Sequence, residues 1–228
     1  MSQENQPEPD SLYHVILMTS GKKGLSGQTE KIRITGTYTS VKKAKNAAHR
    51  CLFDSGYERE WFSTFETSPE VLEGFSAYQG IGLTVYAIAT DSTVFRVRIS
   101  TSPNTLGLTS DNEDGRISTS LFYVVQTNLP YCSHERKPAH DTNVEGVFQS
   151  YEEARKYAST LLLSEEDGIT ASSYEDYCEA GPDERDCEYG DNVIVHAVGK
   201  SGENYYVSVI MCQELESVRL AEASFRLG

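Results

Sequence analysis

Gly36-Thr37-Tyr38-Thr39-Ser40-Val41-Lys42-Lys43-Ala44-Lys45-Asn46-Ala47-Ala48 has a second copy in the same chain, Gly146-Val147-Phe148-Gln149-Ser150-Tyr151-Glu152-Glu153-Ala154-Arg155-Lys156-Tyr157-Ala158. Each copy is a glycine, a short β-type pair ending in an aromatic, a serine, and then a helical pattern with alanines at matched places. Serine suits the helix start because its hydroxyl accepts from an open amide of the first turn. The pattern predicts helices over about 41–53 and 151–163. Val41, Ala44, Ala48, Cys51 and Leu52 form one apolar stripe, and Tyr151, Ala154, Ala158, Leu161 and Leu162 the other. Asp54-Ser55-Gly56 and Glu166-Asp167-Gly168 end them, with glycine free to take the left-handed conformation of a helix terminus. Glu152 and Glu153 stand where Lys42 and Lys43 stand, so the solvent face changes sign while the apolar face is kept.

The likeness extends outward on both sides. Leu12–Met18 reads as a short buried strand, β-branched at its centre, and Leu121–Gln126 is its counterpart. A polar loop follows each, Gly21 to Lys31 and Leu129 to Val144. After the helices, Trp61–Glu66 aligns loosely with Ser172–Tyr177. Leu83–Ala89 then matches Val193–Gly199, and Val94–Ile99 matches Tyr205–Ile210. The last pair alternates in the period of a half-exposed antiparallel strand. An offset of 109–111 holds from first strand to last, which isolated likenesses would not produce. The fold class is therefore α+β, a tandem duplication of a β-α-β-β-β unit. Antiparallel sheets are each covered by a helix, in a pseudo-twofold arrangement. The expected divisions are a disordered leader over 1–11, repeats over 12–100 and 121–212, a linker over 101–120, and a C-terminal helix over 213–228.

Charge narrows the function. The 228-residue chain carries a formal net charge of -14. Residues 1–115 hold 11 basic and 14 acidic side chains, and residues 116–228 hold 9 and 20, so the second half is far more acidic. Sequence-independent nucleic-acid binding needs a cationic face, so no direct nucleic-acid contact is expected. No apolar run approaches the length of a membrane span, and the polar start lacks a secretory pattern, so an intracellular protein, cytoplasmic or nuclear, is expected. Five cysteines (51, 132, 178, 187 and 212) then read as free thiols of a reduced compartment.

Chemical constellations are sparse. Cys132 and His134, with His140 and Cys178 or Cys187, are zinc-ligand types at spacings that fit no common structural site, so neither metal nor cofactor is expected. Gly21-Lys22-Lys23-Gly24 lacks the spacing and ending of a phosphate loop. His196 stands where the first repeat has Tyr86, and both suit a sheet face with a polar tip outward. His14 and His49 show no constellation. Equivalent loops after each first strand keep basic groups, Lys22 and Lys23 in one, Arg136 and Lys137 in the other. Asp183, Glu184, Asp186 and Glu188 form an acidic run without calcium-loop spacing, whose default reading is a solvated loop. The Gly-aromatic-x-Ser helix entry resembles that of the small hybrid-binding domains attached to ribonucleases H, over about one strand and one helix. The acidic balance opposes it, and no residue role is carried over.

Duplication without matched polar constellations points to a repeated shape rather than a repeated chemistry. The leading reading is a non-catalytic protein-binding or scaffold module whose partner is another protein. One alternative is an enzyme or small-molecule binder with a pocket between the repeats, lined by Tyr86 and His196. Another is an acidic protein occupying a basic site on a nucleic-acid-binding partner.

Overall fold

The computed structural model describes residues 10–21, 30–79, 82–110, 113–129 and 141–212. The first unit runs β1 (Ser11–Ser20), β2 (Lys31–Tyr38), α1 (Val41–Asp54), β3 (Phe62–Glu66), α2 (Pro69–Gln79), β4 (Leu83–Ala89) and β5 (Val94–Pro103). The second runs β6 (Phe122–Leu129), β7 (Asp141–Phe148), α3 (Tyr151–Thr160), β8 (Asp176–Glu179), β9 (Val193–Val198) and β10 (Asn204–Met211). Each unit is a five-stranded sheet, ordered β2-β1-β5-β4-β3 and β7-β6-β10-β9-β8, with every pairing antiparallel. The duplication is thus present in the fold, strand for strand.

The repeated stretch has a geometric reason. Its glycine and aromatic are the end of a full strand, so each unit gains one strand between the first strand and the helix. That strand carries a bulge at the same place in both units. Thr35 is skipped between Ile34 and Gly36 against β1, and Glu145 between Val144 and Gly146 against β6. The aromatic two residues on folds back over the glycine. A Cβ on Gly36 would stand 3.0 Å from the Tyr38 ring, and one on Gly146 would stand 2.6 Å from that of Phe148. A side chain at either place would make the ring shift.

Four layers result, helix on sheet on sheet on helix. Ala44, Ala48, Cys51 and Leu52 of α1 pack on Val15, Leu17, Val85, Ala87, Phe95 and Val97. Ala154 and Ala158 of α3 pack on Val124, Val195, Ala197 and Val207. The other faces of β1 and β6 meet between the units, where Leu12, Ile16, Met18 and Ile34 pack against Leu121, Tyr123, Val125 and Val144. Both central strands are therefore covered on two sides, which accounts for the uninterrupted burial of residues 14–18. β5 touches β7 and β10 touches β2, the reciprocal contacts of a pseudo-twofold.

Three features depart from simple repetition. α2, between β3 and β4, has no helical counterpart; residues 180–192 make the equivalent connection as an irregular loop. α3 stops at Thr160, short of the 163 expected from its stripe, although Leu162 still lies in the core. Between the units, Leu108 and Ile117 are buried in the inter-sheet core, and the Ile117 amide donates to the Thr37 carbonyl at 2.8 Å. The span read as a linker is thus partly built into the body. Residues 1–9 of the leader expected over 1–11, and the helix expected over 213–228, lie outside the described residues, while Ser11 already opens β1.

Candidate functional site

The acidic run of the second unit forms the best-defined polar surface among the described residues, and its conformation is fixed rather than loose. Residues 165–191 hold 11 acidic side chains and a single basic one, Arg185. Arg155, on the solvent side of α3, reaches the loop after β8 and donates to the carbonyls of Ala180 at 2.9 Å and Glu184 at 2.7 Å. It also donates to Gly181 at 2.5 Å. The Glu184 carboxylate accepts from the Gly181 amide at 2.7 Å. Asn192 accepts from the Arg185 guanidinium at 3.1 Å and donates its amide to Asp186 at 3.4 Å. Cys187 is buried, and its amide donates to the Val193 carbonyl at 2.7 Å.

The loop then crosses the sheet face opposite α3. There the Tyr189 ring stacks on His196 at 3.8 Å, and Tyr206 flanks the imidazole at 4.7 Å. Tyr189 also donates its hydroxyl to Asp176 at 3.1 Å. His196 is 2% exposed. Its Nε2 lies 3.1 Å from Asn204 Oδ1, while the amide nitrogen of Asn204 donates to Gly202. That orientation makes Nε2 the protonated nitrogen and leaves Nδ1 with a lone pair. Nδ1 is buried and has no hydrogen-bond partner. Cys178 stands directly opposite His196 in the β8–β9 ladder. It packs against the small cluster of Cys187, Ala180 and Val193. Burial, then the Cys187 thiol and the Glu188 and Asp176 carboxylates, push the Cys178 thiol above its ordinary range.

The sequence-expected residues separate accordingly. Asp183, Glu184, Asp186, Glu188 and His196 are gathered on and beneath this one loop. Asp183 and Glu188 project into solvent, whereas Glu184 and Asp186 hold the loop's own backbone. Tyr86 lies elsewhere, half-buried on β4 opposite Arg96 and Glu66. The apolar layer between the sheets contains neither Tyr86 nor His196. Lys22, Lys23, Arg136 and Lys137 lie outside the described residues, as do Cys132, His134 and His140. Among the described residues no group of three or more His, Cys, Asp or Glu is placed to hold a metal ion. No helix there is long and apolar enough to cross a membrane.

Sequence reasoning missed Arg155, Tyr189 and the network around His14. Arg155 follows Ala154 of the repeated helix, and its place among outward-facing residues gave no sign that it serves the loop. Tyr189 is marked only by the glycine after it. An open groove of about 580 Å³ runs beside Arg155 between α3 and the start of the loop, lined also by Glu152, Lys156 and Glu179. It is shallow and charged, without the convergent polar groups of a small-molecule site. No family model matches the chain, and neither a curated protein nor a solved structure matches it.

Proposed function

We propose that the protein is a non-catalytic binding module, and that the acidic face of the second unit docks on a basic surface of a protein partner. The observation that carries this reading is the concentration of ten net negative charges in residues 165–191, within which Arg155 holds the backbone at Ala180, Gly181 and Glu184. A preset acidic face loses little conformational freedom on binding and steers a basic partner into register. The duplicated α+β body supports the role of a scaffold. A partner that itself binds nucleic acid fits the same chemistry, since its basic site would be what the acidic face occupies.

Substitution of the outward acids tests it. Asp183→Lys, Glu188→Lys and Asp191→Lys combined should slow association with a basic partner recovered by pull-down, and should flatten its dependence on salt. Glu184 and Asp186 are left in place, because replacing them would also release the loop. The reading is overturned if the triple variant binds the recovered partner at the parental rate across salt concentrations. The alternative of a pocketed enzyme then gains, and a co-purifying small molecule would be its mark.

A further inference from the structure

We propose that Cys178 and Cys187 form a reversible disulfide, with His196 as the base for Cys178, and that the bond staples the 180–192 loop to β8. Three placements carry this. The two cysteines pack together in the small cluster formed by Ala180 and Val193, and both are thiols in this structure. Cys178 is the partly exposed member and Cys187 the buried one, so an oxidant meets Cys178 first. His196 faces Cys178 across the ladder, where directly opposed side chains are neighbours. Its Nδ1 is a buried acceptor with no hydrogen-bond partner, while Asn204 holds the opposite nitrogen. A buried lone pair on the residue opposite a thiol in the ladder is open to accept its proton.

The chemistry balances with a hydroperoxide as oxidant. Cys178 gives its proton to Nδ1, and the thiolate attacks the terminal peroxide oxygen. The O–O bond breaks, Cys178 becomes a sulfenic acid, and the departing oxygen takes the proton back from His196 to leave as water or alcohol. Cys187 then attacks the Cys178 sulfur. The S–S bond forms, the S–O bond breaks, and the hydroxyl leaves as water with the Cys187 proton. Two thiols lose two electrons and the peroxide gains them. Burial first, then the Cys187 thiol and the neighbouring carboxylates, hold the Cys178 thiol up and keep it quiet at rest, so His196 is what makes the reaction accessible at neutral pH. Cys51 is unsuited, being fully buried with its thiol pushed up to about 12.

The test needs only the full-length protein and hydrogen peroxide, and is independent of any binding partner. Arg185 lies between the two cysteines, so tryptic digestion after oxidation should yield two peptides joined through Cys178 and Cys187. Cys178→Ser should abolish the link, and Cys212→Ser should leave its rate unchanged. His196→Gln should slow the link at neutral pH by roughly tenfold or more. That deficit should close as pH rises and the thiol ionises unaided. Hydrogen exchange of the 184–190 amides should slow on oxidation and recover with reductant. A digest in which Cys178 is linked to any other cysteine, or reaches the sulfinic acid while Cys187 stays reduced, would overturn the pairing. An unchanged rate in folded His196→Gln would overturn the role of the base.

Discussion

His14 shows how a single residue joins the two units. It is wholly buried on the inner face of β1, with Nδ1 2.9 Å from Thr37 Oγ1 and Nε2 2.8 Å from Ser102 Oγ. Thr37 in turn lies 2.7 Å from the Tyr123 hydroxyl of the second unit, whose ring meets the imidazole edge to face. Burial lowers the His14 pKa from 6.5 to about 4. The unfolded chain then binds the proton more readily than the folded one. His14 therefore costs no stability above pH about 6.5, and stability drains as pH falls from there toward about 4, by about 3 kcal/mol in all. Urea unfolding of the parent should show that loss between neutral and mildly acidic pH. His14→Gln should be weaker at neutral pH and lack that part of the slope. Identical pH slopes for the two proteins would show that His14 is not the titrating group. None of this was visible in the sequence, because Thr37, Ser102 and Tyr123 are ordinary polar residues until the fold gathers them.

At the scale of elements, the two serine helix entries are not equal. Ser150 accepts from the Glu153 amide at 3.2 Å and caps α3, whereas Ser40 occupies the same place before α1 without any side-chain cap bond. Ser150→Ala should therefore cost about 1 kcal/mol in chemical denaturation and Ser40→Ala markedly less. Equal losses would mean that the serines act through the backbone conformation they favour. The helices, the hairpins and the repeat were legible because apolar periodicity and a constant offset survive in the residues themselves. Ala44, Ala48, Ala154 and Ala158 are all fully buried, as their spacing predicts. β2 and β7 were underread because the bulges at Thr35 and Glu145 break their alternation. α2 was missed although Ser68-Pro69-Glu70 is a recognisable helix start. The candidate site was half legible: its acidic charge is written in the sequence, but the arginine that fixes it and the ring that seats it are brought from other elements by folding.

For the whole molecule, the decisive layer is the one between the sheets. Each unit has its own core under its helix, but the opposite faces of β1 and β6 pack on each other, with Ile34, Val144, Leu108 and Ile117 in the same layer. A separated unit would expose that face to water at a cost proportional to its area. The ion pair between Arg98 and Asp141 at 3.7 Å also crosses the boundary, and Arg98 is nearly inaccessible. Losing the partner would strand a buried charge. The two repeats should therefore unfold as one cooperative body. Trp61, the sole tryptophan, packs against the first unit's core and reports on that unit alone, while far-UV dichroism reports on both. Leu121→Ala, in the second unit and fully buried in the shared layer, should destabilise by about 2–5 kcal/mol. It should move the Trp61 fluorescence midpoint as far as the dichroism midpoint. Val195→Ala, in the second unit's core under α3, should do the same on a smaller scale, because a loss in either unit is shared when the transition is single. A Trp61 midpoint that stays in place while dichroism breaks into two steps would instead mean that the repeats are independent bodies resting on one another.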